Sequence, residues 1–197
     1  MTALEQALIR LSGDLRALGV RWALVGGMAV SFRAEPRTTQ DVDVTIAVSG
    51  DQEAERIARD LTMRGYRPLE SQPFLENLDG RLNAVRLLAP TAVGLETIGV
   101  DLLFGSSGVE EEVVAAAEVR EVAIGLYVPV ARIGHLIALK VLAGRDKDRA
   151  DVRSLLQEAT LEDVRLARES LDRIERRGFH RGKDLQAELA RLLVPEG

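Results

Sequence analysis

The sequence predicts an α+β protein, with a small mixed β-sheet flanked by helices and a C-terminal helical bundle. Short apolar segments of strand character recur between residues 22 and 130. From Ile133 onward, the apolar residues instead repeat every three or four positions, which is typical of amphipathic helices. The charge balance changes at the same place: residues 1–131 carry 12 Lys and Arg against 19 Asp and Glu, whereas residues 132–197 carry 14 against 12. We therefore predict an α/β core over residues 1–131 and a helical region over residues 132–197, packed on the core.

Hydrophobic periodicity and turn residues define the core elements in order. Leucines at three- and four-residue steps predict the first helix, and a glycine or proline follows the expected end of each of the first three helices. Alternating segments rich in Val and Ile predict the strands, the last two forming a hairpin around Gly125. The predicted core comprises a helix over 3–18, a strand over 22–25, a helix over 28–33, a strand over 41–48, a helix over 52–64, strands over 83–88 and 97–104, a helix over 110–118, and strands over 119–124 and 126–130.

The C-terminal region is predicted to be entirely helical. Its helices are expected over residues 133–142, 146–158, 161–177 and 183–193. A cleft between these helices and the sheet is the natural place for a ligand. Basic residues cluster near the end of the chain, which is either an electrostatic footprint for RNA or a solvated helix face. They are Arg173, Arg176, Arg177, Arg181 and Lys183.

Composition excludes several classes of protein. The chain has no cysteine, which excludes a disulfide framework, a thiolate metal site and a cysteine nucleophile. A hydrophobic content of 46% with 29% charged residues fits a globular protein, and the net charge of −5 argues against a general nucleic-acid coat. No N-terminal signal and no apolar run of membrane-spanning length are present, so we expect a cytoplasmic protein without a membrane partner.

Two short motifs carry the main chemical signal. Gly26 and Gly27 end an apolar strand and open a helix, where backbone N–H groups can approach a phosphate closely. Asp41 and Asp43 lie two residues apart in the next strand, so their side chains point to the same side. Carboxylate oxygens are the ligands that Mg²⁺ prefers. Together the motifs predict a site for a nucleoside triphosphate and its metal ions.

A third carboxylate is expected on a neighbouring strand, because a two-metal site needs one near the attacking hydroxyl. Asp101 is the candidate, since a charged residue in so apolar a segment is costly unless it is paired or metal-bound. The alternative is an aspartate at a strand end that faces solvent. Arg37 and Thr39 lie between the glycine turn and Asp41, where they reach either the nucleotide or only their own turn.

Lys140 interrupts the apolar helix predicted over residues 133–142. A lysine at this place either reaches a phosphate as a point charge or extends its ammonium group to the surface. Asp148 and Asp151 are three residues apart, so they share one helix face and can hold Lys140 or Arg145.

In this order and spacing, the motifs resemble the minimal nucleotidyltransferases. The resemblance is closest to the AbiEii/AbiGii-type toxin nucleotidyltransferases of type IV toxin–antitoxin and phage-defence systems, and covers about residues 3–160. Gly27 stands where many members of the wider superfamily have serine, whereas Gly-Gly is common in the toxin-like branch. The matching runs are Gly26-Gly27-x-Ala29, Arg37-x-Thr39-x-Asp41-x-Asp43, Val100-Asp101-Leu102-Leu103-Phe104, Leu139-Lys140 and Arg145-x-Lys147-Asp148-x-x-Asp151.

The resemblance implies a fold, a reaction and a set of roles. The fold is that of DNA polymerase β-like nucleotidyltransferases, and the reaction moves a nucleoside monophosphate from an NTP to an acceptor hydroxyl. The resemblance further implies two Mg²⁺ ions, a tRNA or other RNA acceptor, and a cognate antitoxin as partner. The implied catalytic residues are Asp41, Asp43, Asp101 and Lys140, the last as an essential basic residue that contacts the triphosphate. The other implied roles are metal binding for Asp41, Asp43 and Asp101, orientation or deprotonation of the acceptor for Asp101, and nucleotide binding for Gly26, Gly27, Arg37, Thr39 and Lys140.

Two other functions stay open at this point. One is transfer to a small molecule such as an aminoglycoside, which the acidic balance of residues 1–131 permits. The other is a non-catalytic nucleotide-binding or antitoxin module that keeps the pocket but lacks an acceptor site.

Overall fold

The computed structural model describes residues 2–69, 74–76, 82–90 and 97–194. Within these residues the chain contains both helices and strands as far as Val130, and its regular elements after that are helices. The helices are α1 (Ala3–Ala17), α2 (Gly26–Arg33), α3 (Asp51–Met63), α4 (Glu110–Ala115), α5 (Ile133–Ala143), α6 (Asp146–Glu158), α7 (Leu161–Arg176) and α8 (Leu185–Leu193). The strands are β1 (Trp22–Val25), β2 (Asp41–Ile46), β3 (Arg67–Pro68), β4 (Phe74–Glu76), β5 (Leu82–Leu88), β6 (Gly99–Leu103), β7 (Glu118–Ala123) and β8 (Leu126–Val130).

One mixed sheet contains all eight of these strands, in the order β3-β5-β6-β2-β1-β8-β7, with β4 also paired to β5. Strand β2 runs antiparallel to β1 and parallel to β6, and β6 runs antiparallel to β5. The predicted α+β class, with a small mixed sheet flanked by helices and followed by a helical region, is confirmed. The central strands β1, β2 and β6 bring together segments that are far apart in sequence.

A single hydrophobic core joins the sheet to the helices on both sides of residue 131. Helix α5 lies deepest, because its sequence is apolar on nearly every face, and it packs against α2, α6, α7 and α8. Leu136 and Ile137 of α5 and Leu171 of α7 are fully buried. This packing fixes α5 relative to the sheet and therefore fixes the position of Lys140. Among the described residues, none of the helices combines the length and the apolar character that a membrane span requires.

The structure corrects several predicted boundaries. Helix α2 begins at Gly26 rather than at residue 28, and the helix predicted over 110–118 ends at Ala115, because Glu118 already starts β7. Helix α8 begins at Leu185, after the Asp184 side chain caps its first turn. Strands β3 and β4 were not predicted, since two and three residues are too few to show a period.

Candidate active site

Four neighbouring strands carry one row of paired residues across the sheet. Val25 of β1 pairs with Asp43 of β2, Asp43 pairs with Asp101 of β6, and Asp101 pairs with Arg86 of β5. Residues paired directly across strands present their side chains to the same face. This cross-strand row (Val25, Asp43, Asp101 and Arg86) therefore has the glycine turn at one end, two carboxylates in the middle and a guanidinium at the other end.

Asp43 lies against the glycine turn. Gly26 has a left-handed φ of +67°, and a methyl group added to it would overlap the Asp43 carboxylate. The backbone N–H of Gly27 donates a hydrogen bond to this carboxylate. Burial and the neighbouring Asp101 charge raise the pKa of Asp43 to about 6, although Lys140 and the Gly27 N–H act in the opposite direction. The Lys140 charge and the Gly27 N–H therefore offset only part of the cost of a negative charge on Asp43.

Asp101 is paired with Arg86 across β5 and β6. The Arg86 Nε lies 3.4 Å from the Asp101 Oδ2, and the two side chains are 46% and 23% exposed. Burial raises the pKa of Asp101, and the nearby Asp41 adds to this, while Arg86 lowers it. The position therefore differs from the solvent-facing strand end that the sequence left open as the alternative for Asp101.

Asp41 begins β2 at the exposed edge of the site. It pairs with Gly99 of β6, and a side chain at position 99 would overlap the Asp41 carboxylate. The missing side chain of Gly99 thus gives this carboxylate its space. Asp41, Asp43 and Asp101 consequently form a group of three acids on two parallel strands.

The donor set of this group fits a divalent cation. All the donors are carboxylate oxygens, and burial with mutual repulsion raises the pKa of both Asp43 and Asp101, a strain that a bound cation would relieve. Across the described ranges, no group of three or more His, Cys, Asp or Glu side chains is already arranged closely enough to hold a metal ion. The Arg86 guanidinium lies 3.4 Å from the Asp101 Oδ2, at the edge of this group.

Arg37 and Thr39 converge on the glycine turn, as the sequence suggested. A Cβ atom on Gly27 would lie 2.6 Å from the Arg37 Nη2 and 2.8 Å from the Thr39 Oγ1. The Ser31 hydroxyl donates to the Gly27 carbonyl at 3.1 Å and accepts from the Arg37 N–H at 3.3 Å. These contacts hold the segment before β2 against the start of α2. The turn is therefore lined by a cation, a hydroxyl and backbone N–H groups.

Lys140 sits in what we call the buried ion cluster, in which Lys140, Asp148 and Asp151 are buried and the more exposed Arg37 and Arg145 border them. The Lys140 Nζ lies 3.2 Å from the Asp148 Oδ1 and 2.7 Å from the Asp151 Oδ2, and its side chain is only 8% exposed. Arg37 binds Asp151 at 2.6 Å, and Arg145 binds Asp148 at 2.6 Å. The prediction that Asp148 and Asp151 hold Lys140 or Arg145 is confirmed, and extension of Lys140 to the surface is not observed.

The buried ion cluster is electrostatically coupled to the acids. Although burial opposes it, the Arg145 hydrogen bond and the Lys140 charge hold the pKa of Asp148 below its usual range. Lys140 also lowers the pKa of Asp43. With three cations and two anions, the cluster carries one excess positive charge beside the glycine turn. The structure thus brings every predicted site residue into one region formed by β1, β2, β6, α2 and α5.

Sequence reasoning missed Arg86. The available signal was the same one that identified Asp101, a charged residue inside an otherwise apolar strand, since both neighbours of Arg86 are buried. The pairing of Arg86 with Asp101 could not be read from the sequence, because it depends on the register of two strands joined by a long connection.

The basic residues near the C-terminus are engaged within the chain. The Arg177 guanidinium binds the Gly108 carbonyl and Glu112, and the Arg181 guanidinium donates to the Ser106 carbonyl at 3.0 Å. The Lys183 Nζ donates to the carbonyls of Leu142 and Ala143 at the end of α5, at 2.8 and 3.1 Å. These contacts favour a role in packing over an RNA footprint for this part of the surface.

An open cavity of about 280 Å³ adjoins the glycine turn. It lies between α1, α2 and the 37–39 segment, and Met28, Phe32, Arg37 and Thr39 contribute to its lining. The sequence predicted the ligand cleft at a different place, between the sheet and the C-terminal helices. Arg37 and Thr39 border both the cavity and the glycine turn.

Comparison with known proteins gives one family and a set of related folds. A family model described as "Nucleotidyl transferase AbiEii toxin, Type IV TA system" matches residues 10–195. A search of the curated proteins found no match.

Several solved structures share the fold at low sequence identity. A nucleotidyltransferase-like antigenic protein from Paracoccidioides brasiliensis is 17% identical, with a TM-score of 0.52 over 97% of this chain and 87% of that one. The antibiotic-resistance factor ANT(2'')-Ia is 17% identical, with a TM-score of 0.51 over 89% and 95% of the two chains. The lincosamide antibiotic adenylyltransferase LnuA is 13% identical, with a TM-score of 0.50 over 81% and 100%. At these identities the likeness concerns the fold.

Proposed function

The chain belongs to the AbiEii nucleotidyltransferase family, and on that premise we propose that it transfers a nucleoside monophosphate from an NTP to a hydroxyl group of tRNA or another RNA. The observation that carries the proposal is the pairing of Asp43 with Asp101 directly beside the Gly26-Gly27 turn. This arrangement puts two charge-strained carboxylates next to a backbone that suits phosphate. Nucleotide transfer needs both features in one place.

The reaction is an in-line displacement at the α-phosphorus of the NTP. The acceptor oxygen forms a bond to the α-phosphorus, and the bond from that phosphorus to the bridging oxygen of the β-phosphate breaks. Pyrophosphate leaves with the electron pair, and the acceptor proton passes to the Asp101 carboxylate. Burial raises the pKa of Asp101 in the metal-free chain, which favours proton acceptance by this carboxylate.

Asp41, Asp43 and Asp101 would hold two Mg²⁺ ions. When bound, such ions supply positive charge that aligns the attacking hydroxyl and stabilises the leaving pyrophosphate. The support for this assignment is the all-oxygen donor set and the raised pKa of Asp43 and Asp101.

The glycine turn and the cations around it would bind the triphosphate. Backbone N–H groups at the start of α2 favour an anion, and the bare Cα atoms of Gly26 and Gly27 allow it to approach closely. Arg37 and Thr39 border the turn, and Lys140 adds a buried positive charge from α5. The excess positive charge of the buried ion cluster suits a polyanionic substrate.

The deciding experiment is a transfer assay with each α-labelled NTP, Mg²⁺ and total tRNA, with a protein-only reaction in parallel. We expect label on the RNA with the wild type and no label with Asp43→Asn. Asp172→Asn is the matched control, because it makes the same chemical change on the exposed face of α7. Normal labelling by Asp43→Asn would contradict the metal assignment, and label on the protein alone would indicate self-modification instead of RNA transfer.

We further propose that the enzyme is the toxin of a type IV toxin–antitoxin pair, as the family description suggests. Induced expression of the wild type is then expected to arrest growth, whereas Asp43→Asn is expected to be harmless. Co-expression of a cognate antitoxin would relieve the arrest. Equal toxicity of the two proteins would separate any toxicity from nucleotide transfer.

One alternative acceptor has an observation in its favour. Residues 1–131 carry 12 basic against 19 acidic residues, and such a balance suits a cationic small molecule such as an aminoglycoside. Aminoglycosides belong in the same assay, and label on them without label on RNA would favour this alternative. A nucleotide-binding module without activity would instead bind NTP and release no pyrophosphate with any acceptor.

A further inference from the structure

We propose that Arg86 binds a phosphate group of the acceptor, so that the acceptor is an anionic polynucleotide strand with a terminal hydroxyl. The inference rests on the proposed transferase function, and it concerns the acceptor side of the same site. It adds a residue that specifies the acceptor, and it distinguishes an RNA from a neutral or cationic small molecule.

The order of the cross-strand row places Arg86 on the acceptor side. The glycine turn follows Val25 at one end of the row, and Arg86 stands at the other end, beyond Asp43 and Asp101. Neighbouring strands lie about 4.8 Å apart, so three strand spacings separate Arg86 from Val25 by about 14 Å. In an in-line displacement, the leaving group and the attacking group are on opposite sides of the phosphorus. With the triphosphate at the glycine turn, the acceptor therefore approaches from the Asp101 and Arg86 end.

The chemistry of Arg86 suits a phosphate at that end. Its Nε points to the Asp101 Oδ2 at 3.4 Å, and its side chain is 46% exposed. A guanidinium has five N–H donors in a planar fork, so contact with Asp101 through Nε is compatible with phosphate binding through the Nη atoms. Arg86 can thus bind a phosphate of the acceptor and hold the Asp101 carboxylate at the same time.

Stability alone does not explain a cation at this position. The Arg86 and Asp101 side chains are 46% and 23% exposed, and a partly exposed ion pair contributes little to folding. Three acids lie nearby and would repel an anionic acceptor, whereas Arg86 supplies the local positive charge that such an acceptor needs. An ammonium group of a cationic drug placed against Arg86 itself would instead be repelled by the guanidinium.

The test compares two short oligoribonucleotide acceptors that differ at one linkage. One has a normal phosphodiester before the terminal nucleoside, and the other has an uncharged methylphosphonate there. We expect the wild type to prefer the phosphodiester by about tenfold in acceptor KM, the loss typical of one charged hydrogen bond. Arg86→Gln is expected to abolish the preference and leave the KM for NTP within about twofold.

Two further variants make the result specific. Arg86→Lys keeps the charge without the fork, so part of the preference should return. Arg165→Gln, on the exposed face of α7, removes a surface arginine elsewhere and should behave as the wild type. Thermal melting of each variant checks that the fold persists, and if Arg86→Gln fails to fold, Arg86→Lys carries the comparison.

The possible outcomes separate the inference from the function on which it rests. If the wild type labels RNA but Arg86→Gln loses rate equally with both acceptors, the phosphate contact is wrong and the transferase function stands. If the wild type labels an aminoglycoside and no RNA, and Arg86→Gln does so equally well, the RNA acceptor and the phosphate contact are both wrong, and only nucleotidyl transfer itself stands. If the wild type labels no RNA, whatever the linkage, both proposals are wrong.

Discussion

Gly26 and Asp43 are packed together so closely that no side chain can exist at position 26. Gly26 has a φ of +67°, a conformation that residues with a Cβ rarely adopt, and an added Cβ would overlap the Asp43 carboxylate. Two independent constraints thus require glycine at one position. The turn that would bind phosphate and the acid that would bind metal are consequently one rigid unit.

A Gly26→Ala substitution should therefore damage both the fold and the reaction. Gly125 offers a matched control, because it has a similar φ of +74° but open space around it. Gly125→Ala should be destabilised only by the strain of the left-handed conformation, about 1–2 kcal/mol. It should keep full transfer activity. Gly26→Ala should lose more stability and about a hundredfold in kcat/KM, since Asp43 must move. Urea denaturation and transfer kinetics measure the two effects, and equal losses in the two variants would contradict the packing argument.

Asp43→Asn should stabilise the metal-free protein while it abolishes transfer. The pKa of Asp43 is about 6 in the folded chain, above the value in the unfolded chain, so the stability of the metal-free fold falls as the pH rises through 6. Removing the ionisable group should recover up to about 3 kcal/mol at pH 7.5. Melting curves with a chelator test this, with Asp172→Asn as control.

Added Mg²⁺ extends the same experiment. It should raise the melting temperature of the wild type, because it binds the folded state, and have little effect on Asp43→Asn. A lower melting temperature for Asp43→Asn in the presence of chelator would show that the Asp43 charge stabilises the free fold.

Sequence was sufficient for the parts of the site that lie close together along the chain. Glycines that end a strand, and acids two apart in the next strand, keep their relation whatever the rest of the fold does. Asp101 was found because its charge conflicts with its apolar surroundings. Arg86 has the same signature and was missed, since its meaning comes from pairing with Asp101 across two strands. The hydrophobic pattern fixes which face of a strand is buried, but without a short turn to fix the register it does not say which residues of two strands pair.

The basic residues near the end of the chain also show that sequence does not reveal which distant residues become partners in the fold. As a sequence cluster they suggested RNA binding, but Lys183 caps the end of α5 and Arg177 binds Glu112 of α4. Local charge density says nothing about which partners folding will bring near. The predicted end of α4 was wrong for a related reason. Pairing with β8 makes Glu118 the start of a strand, although the sequence predicted it as the last residue of the helix.

Lys140→Met should destabilise the protein by about 3 kcal/mol, because it leaves two buried carboxylates with one fewer cation. The Lys140 Nζ contacts both Asp148 and Asp151. Adding Asp151→Asn to the same chain should recover part of the loss, since the second substitution removes one of the uncompensated charges. Lys147→Met, at an exposed position on α6, is the control. Urea denaturation of the wild type, Lys140→Met, Asp151→Asn, the double variant and the control tests the coupling, and strictly additive losses in the double variant would contradict it.

His135 should make the protein sensitive to acid. It is buried on α5, its Nδ1 has no hydrogen-bond partner among the described residues, and it faces Arg132, Arg173 and Glu112. Burial and the two arginines lower the pKa of His135 to about 4, so it stays neutral in the fold after it would be protonated in the unfolded chain. Below pH 6.5 the unfolded state then binds more protons, and stability falls as the pH is lowered from about 6.5 to about 4.

The size of this effect follows from the shift in pKa. A shift of about 2.5 pH units corresponds to about 3 kcal/mol at pH 4. His135→Leu removes the titrating group and replaces it with an apolar side chain of similar size, so its stability should fall less over the same range. Urea denaturation of both proteins between pH 4 and pH 7.5 gives the comparison. Parallel pH profiles would show that His135 does not contribute to the acid sensitivity, since other groups titrate equally in the two proteins.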